Sequence, residues 1–209
     1  MKVKIELLSG TIFGSGKSIP GGENIAIQTD EEGFPYLLAS TFKGILREEM
    51  DNLKDWLPEK YCSFDIKTLF GAEGEHCVDD KRIIISDFTI SENVKKYVKE
   101  YVRKCKLIRE QVTECFTSTY TFTSINDDGI AKTGSLRQCR YINKGIVFYG
   151  NIRCSEDVCD FVKDGLSAVK FIGTMKSRGF GRVRVSEVTE KEEWSYENNK
   201  IHTEKLRTY

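Results

Sequence analysis

The chain has 209 residues, 39% hydrophobic and 31% charged, and its 32 basic and 32 acidic residues give a formal net charge of zero. This length predicts one large domain with a substantial core, and zero net charge disfavours a general DNA-coating protein, which needs a long-range positive field. The sequence contains no apolar run of membrane-spanning length and begins without a secretory signal. The missing apolar run disfavours a membrane partner. The odd number of cysteines, seven, together with the missing signal favours reduced thiols and a cytoplasmic location.

Charge is distributed unevenly along the chain. Residues 21–90 contain 15 acidic and 7 basic residues, a net charge of −8, whereas residues 131–183 contain 10 basic and 4 acidic residues, a net charge of +6. A basic zone on a neutral protein fits one defined anionic ligand, and it equally fits an ordinary dipolar surface. Charge alone does not separate the two interpretations.

The first elements in chain order are a strand, a glycine-rich stretch and a helix. Alternating Val, Ile and Leu predict a strand over residues 3–7, and residues 9–24 contain five glycines and a proline. Apolar residues then recur at helical spacing as far as Pro58, which we expect to end the helix. Ser40 or Thr41 is the predicted N-cap.

Further elements follow to the end of the chain. The patterns predict strands over residues 82–90, 116–123, 145–152 and 182–188, a helix over 94–102 and a helix that Ser155 caps. Strand–helix–strand occurs twice, so we expect an α+β fold with a ferredoxin-like βαββαβ core. We predict a single domain over residues 1–189, with insertions at about 10–38, 58–81 and 124–144, and a polar tail over residues 190–209.

The glycine-rich loop, residues 173–181, precedes the last predicted strand in the stretch GTMKSRGFGRVRV. Gly179 and Gly181 leave backbone amides unshielded, so that an anion could approach closely. Basic residues at 176, 178 and 182 add positive charge, and Phe180 offers a ring on which a base could stack. The stretch fits neither a P-loop nor a dinucleotide-binding fingerprint. A hairpin turn with solvated charges is the alternative.

A second basic feature lies at the start of the first helix. In ASTFKGILRE, Lys43 and Arg47 are one turn apart, and the free amides and dipole of a helix N-terminus attract phosphate. In a ferredoxin-like core this helix start and the loop before the last strand can converge. We therefore expect a single phosphate-binding surface.

Four stretches together resemble one known family. GFPYLLASTFKGILREEM resembles the Pro-Tyr-Ile-Pro-Gly-Ser-Ser-Leu-Lys-Gly-x-Leu-Arg motif of the RAMP superfamily, the repeat-associated proteins of CRISPR effector complexes, and GTMKSRGFGRVRV resembles its C-terminal glycine-rich loop. TLFGAEG followed by RIIISDFTI is similar to its Leu-Phe-Gly segment and a strand ending in Asp, here Asp87. SINDDGIAKTGSLRQCRYINKGIVFYGNI resembles its thumb hairpin and following strand. Along the chain the four motifs occur in the family's order, and the resemblance covers residues 3–188.

The resemblance implies a modified RNA-recognition fold and a structural subunit of a type III CRISPR interference complex. Such subunits stack along the guide RNA beside other RAMP subunits, and each thumb displaces a base of the duplex between guide and target RNA. The thumb here would be residues 125–136. Leu38-Ala39 departs from the usual Pro-Gly, so that segment would approach RNA less closely. The implied RNA-binding residues are Ser40, Thr41, Lys43, Arg47, Lys132, Arg137, Lys176, Ser177, Arg178, Gly179, Phe180 and Gly181.

The residue that target-cleaving relatives use for catalysis has no counterpart in this sequence. Such relatives carry an Asp between the first strand and the first helix, and no Asp occurs between Thr11 and Thr29. The expected position falls on Asn24, beside Glu23, and an amide neither accepts a proton at neutral pH nor binds a divalent cation strongly. We therefore expect no catalytic residue.

Three alternatives stay open. The chain could cut target RNA as a backbone endoribonuclease through Glu23 or a realigned acid. It could also cap one end of the filament, a position whose subunits often lack the Asp. A guide-processing endoribonuclease is disfavoured because such enzymes often use a His near the first helix, and the two His residues, His76 and His202, lie elsewhere.

Cys62 with His76 and Cys77 could hold zinc, but no C-x-x-C pair is present. Buried free thiols are the preferred interpretation, and we expect no metal and no cofactor. Asp127-Asp128-Gly129 lacks the alternating carboxylates of a calcium loop and predicts a hairpin turn instead.

Overall fold

The computed structural model describes residues 1–16, 26–71, 82–106 and 108–188. Two 3₁₀ turns, Glu156–Val158 and Lys176–Arg178, accompany the helices and strands of this part of the chain. In chain order these are β1 (Lys2–Leu7), β2 (Tyr36–Leu37), α1 (Ala39–Trp56), α2 (Pro58–Tyr61), α3 (Ile66–Phe70), β3 (Ile84–Ile85), β4 (Phe88–Ile90), α4 (Glu92–Cys105), α5 (Arg109–Phe116), β5 (Thr117–Phe122), β6 (Arg137–Ile142), β7 (Val147–Arg153), α6 (Cys159–Ala168) and β8 (Val183–Glu187).

The central sheet has the strand order β2-β4-β7-β1-β8, and β3 also pairs with β7. Each of these pairs is antiparallel. Ile5 of β1 lies opposite Phe148 of β7 and Val185 of β8. All three side chains are buried, as expected where alternate residues point to the core face of a sheet.

Helices α1 and α6 form a closely packed pair within the core. Phe42, Leu46 and Met50 of α1 are buried at four-residue spacing, which aligns them on one helix face. Gly165 of α6 lets the helices approach closely, because a Cβ there would lie 2.6 Å from Cγ of Met50. The core is thus a sheet with a closely packed helix pair.

The first helix begins differently from the prediction. Its N-cap is Leu38, so Ser40 and Thr41 lie within the first turn and neither caps the helix. The acceptor comes from elsewhere in the sequence, since the Ala39 amide donates to Oδ1 of Asp87 at 2.7 Å. The N-cap prediction was wrong because the capping carboxylate is 48 residues away. The helix does end before Pro58, which begins the short helix α2.

Two further elements differ from the predicted ones. Residues predicted as one strand over 82–90 form β3 and β4, which Ser86 and Asp87 separate. The helix predicted from Ser155 begins as a 3₁₀ turn and becomes α-helical only at Cys159. In both cases the apolar sequence pattern continues across a point where the regular secondary structure changes.

An inserted unit between β4 and β7 comprises α4, α5 and the hairpin of β5 and β6. Thr117 lies opposite Ile142 at the base of the hairpin, and Phe122 lies opposite Arg137. The thumb segment, residues 125–136, extends this hairpin. A further bridge joins Ile125 to Ala131, and Gly129, at φ 76°, belongs to the turn at the tip. The hairpin turn expected at Asp127-Asp128-Gly129 is therefore present.

Several predicted features fall outside the described residues. Glu23, Asn24, His76, Cys77 and the tail are among them. Cys62 is described, with an exposed thiol, although the sequence favoured buried thiols for this cluster. Within the described ranges no cluster of three or more His, Cys, Asp or Glu residues could hold a metal ion, and no helix is both long and apolar enough to cross a membrane.

Candidate functional site

The base of the glycine-rich loop, residues 173–181, is closed by backbone contacts. The Ile172 amide donates to the Gly181 carbonyl at 2.8 Å, and Phe171 bridges to Arg182. Gly173 and Gly181 have φ values of 88° and 82°. A Cβ on Gly173 would overlap the Ile12 carbonyl, and one on Gly181 would overlap the Ile172 carbonyl. Both positions therefore require glycine for conformation and for packing.

The exposed part of the glycine-rich loop is a single 3₁₀ turn. Lys176, Ser177 and Arg178 form this turn and are all exposed. Gly179 follows at φ 84°, and nothing lies within 4 Å of a Cβ built there. The glycine-rich loop thus presents two cations and an open stretch of backbone to any ligand outside.

Phe180 anchors the glycine-rich loop to the inserted hairpin. Its ring lies edge-on to Tyr120 and Tyr141, with centroids 5.5 and 5.4 Å away. The Arg178 guanidinium lies 4.8 Å from the centroid of the Phe122 ring, a cation–π contact. The loop and the hairpin therefore pack together through aromatic side chains. Base stacking on Phe180 stays a prediction.

One cleft separates the glycine-rich loop from the start of α1. It has a volume of about 480 Å³. Thr41 and Ile45 line it from α1, and Thr174 and Lys176 line it from the loop. Lys176 and Thr41, 135 residues apart in sequence, thus share one surface depression.

Lys43 and Arg47 are positioned differently from Thr41. Residues two apart on a helix point to nearly opposite sides, and neither basic side chain is among those that line the cleft. Lys43 is half-buried, while Ser40 and Arg47 are exposed. The free amides expected at this helix start are also not all available, because Asp87 occupies the Ala39 amide.

A second cleft, also about 480 Å³, lies on the hairpin side of the glycine-rich loop. Arg137 and Arg178 both line it, together with Phe122 and Met175. Lys132 is exposed on the thumb segment and is not among the lining residues. The structure therefore brings Arg137 to the loop and leaves Lys132 apart.

The electrostatic character of both clefts follows from their linings. Lys176 lines the first cleft, and Arg137 and Arg178 line the second. No Asp or Glu is among the described residues that line either one. A ligand that spans the glycine-rich loop would meet positive charge on both sides, an environment that favours a polyanion.

Sequence reasoning missed the structural roles of three residues at this site. Tyr120 and Tyr141 hold Phe180, and Asp87 caps α1. The alternating aromatic residues of the predicted strand 116–123 were a signal for the role of Tyr120. An apolar residue at the cap position, Leu38, was a signal that α1 takes its acceptor from a distant residue.

Comparison with known proteins assigns the chain to a family. The family model of the RAMP superfamily matches residues 4–184, and the chain belongs to that superfamily. The resemblance inferred from the sequence motifs is thereby confirmed. No match was found among curated protein sequences.

Two solved structures show the same fold. One is a chain of the type III-B Cmr-beta complex bound to cognate target RNA, with a TM-score of 0.63 and 14% identity over 88% of this chain and 95% of that one. The other is a chain of type III-B Cmr-beta in its apo state, with a TM-score of 0.63 and 16% identity over 90% of this chain and 97% of that one.

Proposed function

We propose that this chain is a structural subunit of a type III CRISPR interference complex that binds guide RNA and helps to display it to target RNA. The observation that carries the proposal is the glycine-rich loop, whose Lys176 and Arg178 each line one of two clefts without carboxylates among their described lining residues. Membership of the RAMP superfamily and similarity to chains of a Cmr complex support it.

The chemistry of the loop suits the RNA backbone. Lysine and arginine contact phosphates without reading sequence, and the open backbone at Gly179 leaves room for a close approach. A guide whose sequence varies needs binding of this sequence-independent kind. Lys176 and Thr41 would hold the strand on one side of the loop, and Arg137 and Arg178 would hold it on the other.

The thumb segment would act on the bases. Ile125, Ile130 and Leu136 are 68%, 66% and 72% exposed, which is unusual for apolar side chains in one short hairpin. An exposed apolar wedge can enter between stacked bases and stabilise a displaced one. In this proposal the thumb opens the duplex between guide and target RNA.

The proposal includes a ferredoxin-like core of the RNA-recognition type. Its six elements would be β1, α1, β4, β7, α6 and β8. The antiparallel order β4-β7-β1-β8 and the packing of α1 against α6 support this assignment. The remaining elements, including α4, α5 and the hairpin, would be insertions.

Binding without cleavage is part of the proposal and rests on the sequence. No Asp occurs between Thr11 and Thr29, where cleaving relatives carry one. The alternative is an endoribonuclease subunit that cuts target RNA through Glu23. Product mapping on the assembled complex with magnesium distinguishes them, since a cut that Glu23→Gln abolishes would favour the enzyme.

The binding proposal is tested by the salt dependence of RNA affinity. Lys176→Ala with Arg178→Ala should weaken binding to single-stranded RNA equally across sequences. The slope of log K against log salt should fall by about 0.7 for each lost phosphate contact, or about 1.4 in all. Fluorescence anisotropy of labelled RNA at several salt concentrations measures both quantities.

Lys67→Ala with Arg153→Ala is the matched control, since both residues are exposed and neither lines the two clefts. It removes the same formal charge and should leave the slope nearly unchanged. Equal losses in both double variants would show only a general charge effect. That result would contradict binding at the glycine-rich loop.

A further inference from the structure

Strand β8 is an edge of the central sheet, since it pairs with β1 and stands last in the order β2-β4-β7-β1-β8. The Val188 amide donates to the Lys2 carbonyl, and the Arg182 carbonyl accepts from the Leu8 amide. Even-numbered residues of this stretch therefore direct their backbone groups to β1. Because this direction alternates along an antiparallel strand, the backbone groups of the odd-numbered residues point away from β1.

A short segment that follows α6 pairs with the beginning of this edge. The Val183 amide donates to the Lys170 carbonyl at 2.9 Å, and the segment diverges from β8 at this point. Along the part of the chain that the structure describes, no other segment pairs with the outward backbone groups of Val185 and Glu187. These two residues, here called the open β8 edge, therefore offer backbone donors and acceptors to an added strand.

A groove of about 460 Å³, here called the edge groove, lies where the segment diverges from β8. Lys170 and Phe171 line it from the segment, and Arg184 and Val185 line it from β8. Phe171 is 42% exposed. A strand added at the open β8 edge would continue the row that the segment begins, and it would meet Phe171 and the edge groove.

Positive charge dominates the edge groove. Its lining includes Lys170, Arg182 and Arg184, and no Asp or Glu is among the described lining residues. Arg184 pairs with Glu6 at 3.1 Å, yet its side chain is 65% exposed. Lys170 donates from Nζ to the Ser167 carbonyl, a neutral acceptor that leaves the positive charge in place. Three cations beside one nearby carboxylate favour a ligand with negative charge.

We propose that the open β8 edge and the edge groove bind an acidic, extended segment of another protein. Backbone groups of that segment would pair with those of Val185 and Glu187, as in β-strand addition. Its carboxylates would contact the cations of the edge groove, and one of its apolar side chains would pack against Phe171. A second copy of β8 is disfavoured because it would bring its own cations to this groove.

Nucleic acid is the other polyanion that a basic groove attracts. The open β8 edge favours protein, because unpaired strand backbone groups match the amide and carbonyl spacing of another strand. RNA would use the cations of the edge groove alone. The inference does not rest on RNA binding at the glycine-rich loop, since Phe171, Val185 and Glu187 lie outside that loop.

Synthetic peptides test the proposal with the full chain by fluorescence anisotropy. The probe is a fluorescein-labelled peptide in which valine alternates with glutamate, and the control peptide has lysine in place of each glutamate. The acidic peptide should bind, and the lysine peptide should bind about tenfold more weakly or less. Two further acidic peptides carry N-methyl groups on either the odd or the even backbone amides. Only one of them should lose binding, because alternate amides of a strand face its neighbour.

Substitutions at Glu187 isolate the backbone contact. Glu187→Pro and Glu187→Ala both remove the ion pair with Lys163, but only proline also removes the outward amide. An edge strand tolerates proline at such a position. Glu187→Pro should bind the acidic peptide about tenfold more weakly than Glu187→Ala, since it loses a hydrogen bond and places its ring in the path of the added strand.

Substitutions of the cations test the charge match. Lys170→Ala with Arg184→Ala should weaken binding of the acidic peptide about tenfold. Lys67→Ala with Arg153→Ala removes the same formal charge outside the edge groove and should leave the affinity nearly unchanged. Circular dichroism verifies that each variant is folded. If proline unfolds the chain, the methylated peptides still test the backbone pairing on the wild type.

Several results would overturn the proposal. These are no binding of the acidic peptide, equal binding of the two methylated peptides, or equal losses in the two double variants. Binding of labelled single-stranded RNA that Lys170→Ala with Arg184→Ala abolishes, without peptide binding, would assign the edge groove to nucleic acid instead. A dimer in sedimentation velocity that Glu187→Pro abolishes would assign the open β8 edge to a second copy. Each result leaves the test at the glycine-rich loop unaffected.

Discussion

At the scale of single residues, the three glycines of the glycine-rich loop have different roles. Gly173 and Gly181 have positive φ values and lie against the carbonyls of Ile12 and Ile172. Gly179 also has a positive φ, but a Cβ there would meet nothing within 4 Å. The first two glycines hold the loop against the core, and the third leaves its exposed turn open.

This difference predicts that alanine at Gly179 and alanine at Gly181 lower the free energy of unfolding by unequal amounts. Gly179→Ala should cost about 1–2 kcal/mol, the penalty of a left-handed conformation for a residue with a Cβ. Gly181→Ala carries that penalty and also forces the Ile172 carbonyl to move, so it should cost about 1–3 kcal/mol more. The midpoint and slope of urea unfolding measure both free energies. Equal losses would contradict the packing at Gly181.

At the scale of elements, α2 is fastened to α6 by polar and aromatic contacts. The Tyr61 ring stacks on Phe161 with centroids 4.3 Å apart. Its hydroxyl donates to Asp164, and Lys60 pairs with the same carboxylate. Hydrogen bonds from Lys60 and from Tyr61 lower the pKa of the Asp164 carboxyl below its ordinary value of 3.8.

Asp164 should therefore stabilise the fold in a pH-dependent way. Because its pKa is lower in the folded state, its contribution is complete above the unfolded value and is lost as pH falls through the folded value. Asp164→Asn should be less stable than the wild type at about pH 6, by up to about 1 kcal/mol for a largely exposed pair.

The difference in stability between the wild type and Asp164→Asn is measured from the midpoints of urea unfolding. The measurements run from about pH 6 down to below pH 3.8. The difference should shrink at the acid end as the wild-type carboxylate is protonated. A constant difference would show that the charge of Asp164 does not contribute. Tyr61→Phe keeps the stacked ring and removes only the hydroxyl, so it measures the contribution of the hydrogen bond to Asp164.

The sequence predicted the elements well where each has its own periodic pattern. Val3, Ile5 and Leu7 alternate, and β1 spans Lys2–Leu7. Helical spacing from Phe42 onward likewise matches α1, which ends at Trp56. These patterns are local, so a single stretch contains enough information.

Features that depend on distant contacts were not predictable in the same way. The cap of α1 comes from Asp87, and the partner of Phe180 is a pair of tyrosines in another hairpin. Only tertiary packing brings such groups together. The expected ferredoxin-like core compensated in part, since it predicted that the glycine-rich loop and the start of α1 converge. In the structure Thr41 lines the cleft beside the glycine-rich loop, whereas Lys43 does not.

At the scale of the whole molecule, the fold converts an uneven charge distribution into a local surface. The chain has no net charge, yet residues 131–183 have a net charge of +6. Arg137, Lys176 and Arg178 from this zone line the two clefts beside the glycine-rich loop. This local basic surface is what the proposed binding of an RNA strand requires of a protein without net charge.

Photo-crosslinking to RNA tests this central claim most directly. Guide RNA containing 4-thiouridine is bound to the full chain and irradiated, and mass spectrometry identifies the crosslinked peptides. We predict crosslinks within residues 173–181 and within the hairpin that includes Phe122 and Arg137, and their loss in the variant with Lys176→Ala and Arg178→Ala. Crosslinks confined to other surfaces, or unchanged in that variant, would contradict the account.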